Sequence, residues 1–175
     1  MEVTIRRART TDVRAVRRLI DAYSRDGILL DKPTVTLFES VQEFWVAERD
    51  EDGRVVACGA LHVMWEDLAE VRTLAVDPVC TGIGIGHLLL EKLLETARWL
   101  GVRRIFCLTF EVPFFSKHGF VEIGENDDRT ADPAAVATEV YEELLRSYDE
   151  GVAEFLDLER VKPNTLGNSR MLLRL

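Results

Sequence analysis

Apolar and polar residues alternate through Val3-Thr4-Ile5-Arg6-Arg7-Ala8-Arg9, the period of two that marks a strand. The period then lengthens. Val13, Val16, Leu19, Ile20 and Tyr23 recur at helical spacing behind Thr10 and Thr11, which offer an N-cap, so a helix is predicted over 11–25 and ends at Gly27. Ile28-Leu29-Leu30-Asp31-Lys32-Pro33 has no period. The Thr36-to-Glu39 spacing of a capping box predicts a short helix over 36–42. Strands are predicted over 44–49, 55–65 and 68–76, the first two joined by a turn at Asp50-Glu51-Asp52-Gly53. After Asp77-Pro78 a glycine-spaced loop opens onto a helix that carries Leu89, Leu90, Leu93, Leu94 and Ala97 on one face and stops at Gly101. A strand over 104–110, a short helix over 114–118 closed by Gly119, and a strand over 120–123 follow. Asp132-Pro133 predicts the start of a last helix over 133–149, with Val136, Val140, Tyr141, Leu144 and Leu145 on one face. The tail reads as strands over 155–161 and 169–175 around Lys162-Pro163-Asn164. The whole chain, 1–175, reads as a single α/β domain with no repeat and no linker.

Composition narrows what such a domain does. With 47% apolar and 30% charged residues the chain matches an ordinary soluble protein, and 175 residues bury a sizeable core without disulfides. A net charge of −9 argues against a nucleic-acid partner, because the phosphate backbone repels an acidic surface. No apolar run approaches the roughly 18–20 residues of a membrane span, and the first nine residues lack the apolar core of a signal peptide. Cys58, Cys80 and Cys107 are odd in number and form no CxxC, which fits reduced thiols in the cytoplasm. His62, His87 and His118 form no HxxxH or HExxH pair, so no metal is expected.

The candidate chemistry begins at Gly82-Ile83-Gly84-Ile85-Gly86. A glycine loop opening a helix turns backbone N–H groups toward an anion, and the helix dipole adds to the attraction. The spacing is neither a Walker loop nor a Rossmann GxGxxG. Leu74-Ala75-Val76-Asp77-Pro78 followed by Gly82-Ile83-Gly84-Ile85-Gly86-His87 resembles the acetyl-CoA-binding motif of the GNAT acyltransferase superfamily. Phe114-Phe115-Ser116-Lys117-His118-Gly119-Phe120 resembles that superfamily's next motif, and the element order agrees. The resemblance implies a GNAT fold, a mixed central sheet of about seven strands with helices on both faces. It further implies that Leu74, Ala75 and Val76 hold the acetyl and pantetheine part of acetyl-CoA. The amides of Gly82, Ile83, Gly84, Ile85, Gly86 and His87 would hold its pyrophosphate. Thr81 stands where the superfamily usually has Gln or Arg, so one cation is missing from that phosphate site.

A closer resemblance is to the acetyltransferase domain of N-acetylglutamate synthases, carried by Gly27-Ile28-Leu29-Leu30, Cys58-Gly59-Ala60-Leu61, Ala69-Glu70-Val71-Arg72 and Leu108-Thr109. The tail, Glu154-Phe155-Leu156-Asp157-Leu158 and Lys162 through Met171, resembles the short stand-alone actinobacterial form. That implies acetyl transfer to the amino group of glutamate or glutamine, the opening step of arginine biosynthesis. Acetyl transfer to an amine requires removal of a proton from the ammonium. Glu70, six residues before Val76, is the candidate base, and strict alternation would put it on one face with Arg72, Leu74 and Val76. Phe115 occupies the position where many relatives keep an acidic tyrosine. It is expected to pack beside the pantetheine, leaving a water, Ser116 or Tyr148 to protonate the thiolate. Lys32, Arg72 and Arg170 are candidate partners for the acceptor's carboxylates. Other amines as acceptor, or acetyl-CoA binding without turnover, are the competing readings. The last helix and the tail offer surface for a homodimer.

Overall fold

The computed structural model describes residues 1–29, 31–123, 135–158 and 167–175. Seven strands form one mixed sheet: β1 (Val3–Arg7), β2 (Phe44–Arg49), β3 (Val55–Trp65), β4 (Leu68–Val76), β5 (Arg104–Thr109), β6 (Val121–Glu122) and β7 (Ser169–Arg174). Their order is β1-β2-β3-β4-β5-β7-β6. β4 and β5 are parallel, whereas β1 with β2, β2 with β3, and β7 with both β5 and β6 are antiparallel. The helices are α1 (Val13–Ser24), α2 (Thr34–Glu39), α3 (Ile85–Leu100), α4 (Val112–Ser116), α5 (Thr138–Leu144) and α6 (Glu150–Phe155). The chain divides into two compact units, Met1–His62 with Val71–Leu100, and Val63–Glu70 with Gly101–Leu175.

In the first unit the strand pleat sorts side chains between two apolar layers. Phe44 and Val46 of β2 join Val13, Val16, Leu19 and Ile20 of α1 and Leu37 of α2. Trp45 and Ala47 turn the other way, into the layer that holds Ile85 and Leu89 of α3. Gly59 of β3 is closely covered: a Cβ there would lie 2.9 Å from Leu74 Cδ1 and 3.1 Å from Leu93 Cδ1, so those side-chain ends would have to shift. The second unit gathers Leu68, Phe106, Phe155 and Leu172, with the Phe106 and Phe155 rings edge to face at 5.5 Å.

Strands occur over 44–49, 55–65 and 68–76, as predicted. The helix ends differ. No threonine caps α1, which is entered through a 3-10 turn over Thr10–Asp12. Instead the buried Asp12 carboxylate accepts the Arg9 amide at 2.7 Å and both guanidinium nitrogens of Arg6 at 2.7 and 3.0 Å. α1 closes with the Ile28 amide donating to Tyr23 O and the Gly27 amide to Ser24 O, a geometry that needs the left-handed Gly27. α2 starts at Thr34 behind Pro33, two residues ahead of the capping box, so Thr36 lies inside it and its carbonyl accepts from Ser40. Of the helix expected over 133–149, the described residues form only α5, which stops at Leu144; a separate helix, α6, follows where Asp149 accepts the Val152 amide. Phe155 is therefore helical and not the start of a strand. The proposed cap Asp132-Pro133, the tail residues 159–161 and the turn at 162–164 lie outside the described residues.

Candidate active site

The site is built on the last turn of β4 and the loop that follows. Asp77 caps a 3-10 turn over Pro78–Cys80, accepting the Val79 amide at 3.2 Å, and its other oxygen takes the Arg54 guanidinium at 2.8 Å. Thr81 Oγ1 donates to Pro78 O at 3.1 Å, so its hydroxyl braces the turn. Gly82 and Gly84 then take φ of +79° and +90°, the left-handed region that side chains disfavour, and no atom stands within 4 Å of where a Cβ would be. Their amides, with those of Ile83, Ile85 and Gly86, have no backbone carbonyl partner among the described residues. α3 opens there with its orphan N–H groups. The His87 amide differs, since it donates to Gly84 O at 3.1 Å and is used inside the turn. Open space, undonated amides and a sixteen-residue helix dipole fit a pyrophosphate.

Upstream, β4 departs from regular alternation. Thr73 adopts φ +56°, left-handed for a β-branched residue, and its carbonyl is approached by the Cys58 thiol at 3.6 Å. The regular pleat on which a single face for Glu70, Arg72, Leu74 and Val76 was expected is therefore interrupted at Thr73. Beyond Thr73, Leu74 and Val76 pack on the α3 layer and Ala75 on the α1 layer. Arg72 is half-buried.

Glu70 belongs to the second unit, paired with Phe106 on β5. It is only 5% exposed. The strand is therefore not solvated at Glu70, and a carboxylate this buried is rarely left without a pairing partner. Burial pushes the Cys107 thiol well above its ordinary range, and the Glu70 charge pushes it further the same way. Burial likewise raises Cys58 to about 12, so both are inert core thiols.

Phe115 is buried edge-on between Phe114, at 5.1 Å, and Phe120, at 5.2 Å. Tyr148 is 98% exposed, which places its hydroxyl in bulk water and removes it as a proton donor in an enclosed site. Ser116 is exposed at the end of α4. Among the cations, the half-buried Lys32 is held through its backbone, since its carbonyl accepts from Arg17, which also pairs with Asp21 and Asp31. Arg170 on β7 donates Nε to Glu154 O at 3.1 Å and Nη2 to Phe155 O at 2.5 Å, capping the end of α6. Tyr23, which the sequence presents only as an apolar helix position, donates its hydroxyl to Val76 O, a partner 53 residues away. No local pattern could have marked it.

A mixed seven-stranded sheet whose fourth strand runs into a glycine loop and a long helix is the arrangement expected of an acyl-CoA-dependent acyltransferase. The chain belongs to the GNAT acetyltransferases. Residues 40–122 match the acetyltransferase (GNAT) domain family. An amino-acid acetyltransferase of Mycobacterium tuberculosis is 58% identical over 170 residues, which span 97% of this chain and 92% of that protein. A Mycobacterium tuberculosis structure in complex with CoA and a second ligand superposes with a TM-score of 0.89 at 58% identity, covering 98% of this chain and 99% of that one. The Neisseria gonorrhoeae N-acetylglutamate synthase superposes with a TM-score of 0.74 in its complex with coenzyme A and N-acetyl-glutamate, at 24% identity, a likeness of fold. In its complex with coenzyme A and L-arginine the values are 0.67 and 25%. This chain covers 35% and 33% of those two chains. No helix among the described residues is long and apolar enough to cross a membrane.

Proposed function

We propose that the protein is an amino-acid N-acetyltransferase that moves the acetyl group of acetyl-CoA onto the α-amino group of L-glutamate or L-glutamine, the opening step of arginine biosynthesis. The observation that carries this reading is the 58% identity to an amino-acid acetyltransferase across 97% of the chain. It acts in the cytoplasm, as one domain over 1–175, on a small-molecule acceptor.

When bound, acetyl-CoA supplies the activated acetyl thioester. The amides of Gly82, Ile83, Gly84, Ile85 and Gly86 hold its pyrophosphate, supported by their undonated state at the start of α3. Leu74, Ala75 and Val76 offer backbone groups to the pantetheine arm. Glu70 takes a proton from the acceptor's ammonium through a water, which frees the nitrogen lone pair for attack; its enclosure, at 5% exposure, supports a role away from bulk solvent. Lys32 and Arg72 hold carboxylate charge on the acceptor. Arg170 joins them through a guanidinium whose orientation is fixed by the α6 carbonyls. Phe115 closes the arm's apolar wall, and solvent protonates the leaving thiolate. The test is CoA thiol release with a panel of amino acids. Glutamate or glutamine should be turned over best, and turnover confined to peptides, free lysine or aminoglycosides would replace this reading.

A further inference from the structure

We infer that Tyr23 is a positioning residue that pre-sets the edge of β4 for the pantetheine arm, an inference that rests on the acetyl-CoA reading above. The peptide joining Val76 to Asp77 is trans, so its N–H and C=O point in opposite directions. The Asp77 amide donates to Val56 O of β3 at 2.7 Å. The Val76 carbonyl therefore faces the opposite edge of β4. Pairing with β5 occupies that edge only from Leu68 to Glu70, well short of Val76. In place of a strand, the structure supplies the Tyr23 hydroxyl, which donates to Val76 O from the last turn of α1.

Three features hold the phenol there. Its ring packs against the apolar layer of Val16, Leu19 and Ile20. Its own carbonyl is tied by the Ile28 amide in the helix stop. The carbonyl it reaches opens directly onto the turn capped by Asp77. A carbonyl has two lone pairs, so one bond from Tyr23 fixes the peptide plane and leaves the edge able to bind a ligand. An edge fixed before binding loses less freedom when the arm lies along it. Tyr23 is the one tyrosine of three so placed, since Tyr141 and Tyr148 are exposed.

The test compares wild type, Tyr23→Phe and Val16→Ala. Tyr23→Phe keeps the ring and removes only the hydroxyl, while Val16→Ala loosens the same helix from its buried face. Calorimetry with CoA alone should show Tyr23→Phe binding about three- to tenfold more weakly, as expected for one net hydrogen bond. Its KM for acetyl-CoA should rise in step, with kcat and the amino-acid KM unchanged. Val16→Ala should lower the unliganded melting temperature and leave CoA affinity unchanged. CoA affinity of Tyr23→Phe within twofold of wild type would overturn the inference. So would an equal affinity loss in Val16→Ala, which would make the effect one of stability. If wild type itself fails to bind CoA, the acetyl-CoA reading falls and takes this one with it, a result distinct from a loss confined to the variant.

Discussion

Buried charge is where single residues decide most in this protein. Glu70 is enclosed, paired across the sheet with Phe106, and its charge acts on the Cys107 thiol. Glu70→Gln keeps the shape and removes the base. Its kcat should drop by about 10²–10⁴-fold with little change in the acetyl-CoA KM, read by steady-state kinetics. A variant within a few-fold of wild type would assign Glu70 to packing alone. Asp12 gives a second residue-scale expectation. The Arg6 hydrogen bonds, opposed by burial and helped by the Arg9 amide, hold its carboxyl below the usual carboxylate range. A depressed folded pKa adds stability that is fully present above about pH 4 and is lost as pH falls through the folded value. Thermal melts of Asp12→Asn should therefore show a lower midpoint at pH 7, by about 1–3 kcal/mol in stability, and a shallower decline below pH 4 than wild type. Parallel acid declines in the two proteins would remove Asp12 from that account.

Among the elements, the glycine loop is the most constrained. Gly84→Asp forces a side chain into a left-handed position and sets a negative charge where the pyrophosphate amides converge. CoA binding by calorimetry should be lost; the left-handed φ strains the variant locally, and a thermal melt of the unliganded protein separates that strain from the lost binding. Retained affinity would move the phosphate site elsewhere. The loop and the three consecutive strands before it were legible in the sequence because their signals are local: alternation, an Asp-Gly turn, and glycines spaced ahead of an apolar helix face. Helix ends were less legible where the partner was distant in kind. Neither threonine caps α1, and Asp12 uses its carboxylate on the Arg9 amide and on Arg6 of β1, a partnership the capping pattern does not announce. The left-handed Thr73 interrupts a pleat that alternation would have continued, and no residue type at that position announces it. Tyr23 and Arg170 form their bonds to backbone carbonyls 53 and 15–16 residues away, so their tasks are products of tertiary structure. Glu70 lay between these cases. Its offset from Val76 was readable, but its burial was not.

For the whole molecule, the proposed acceptor brings carboxylate charge to a chain of net charge −9. Local cations must overcome that repulsion, and Lys32, Arg72 and Arg170 are the ones the account assigns. Each alanine variant should raise the glutamate KM about ten- to a hundredfold, the loss expected for one charge-assisted hydrogen bond, with the acetyl-CoA KM nearly unmoved. Added salt should weaken glutamate more than glutamine, because only glutamate carries the second charge to screen. Intact glutamate kinetics with alanine at all three positions would place the acceptor elsewhere. The central claim, acetyl transfer from acetyl-CoA to a free amino acid, is tested most directly by CoA thiol release from the purified protein, with each of the twenty amino acids as acceptor. Acetyl-CoA-dependent release with L-glutamate or L-glutamine should stand far above that with the other eighteen. Tight CoA binding with no release on any amino acid would contradict it.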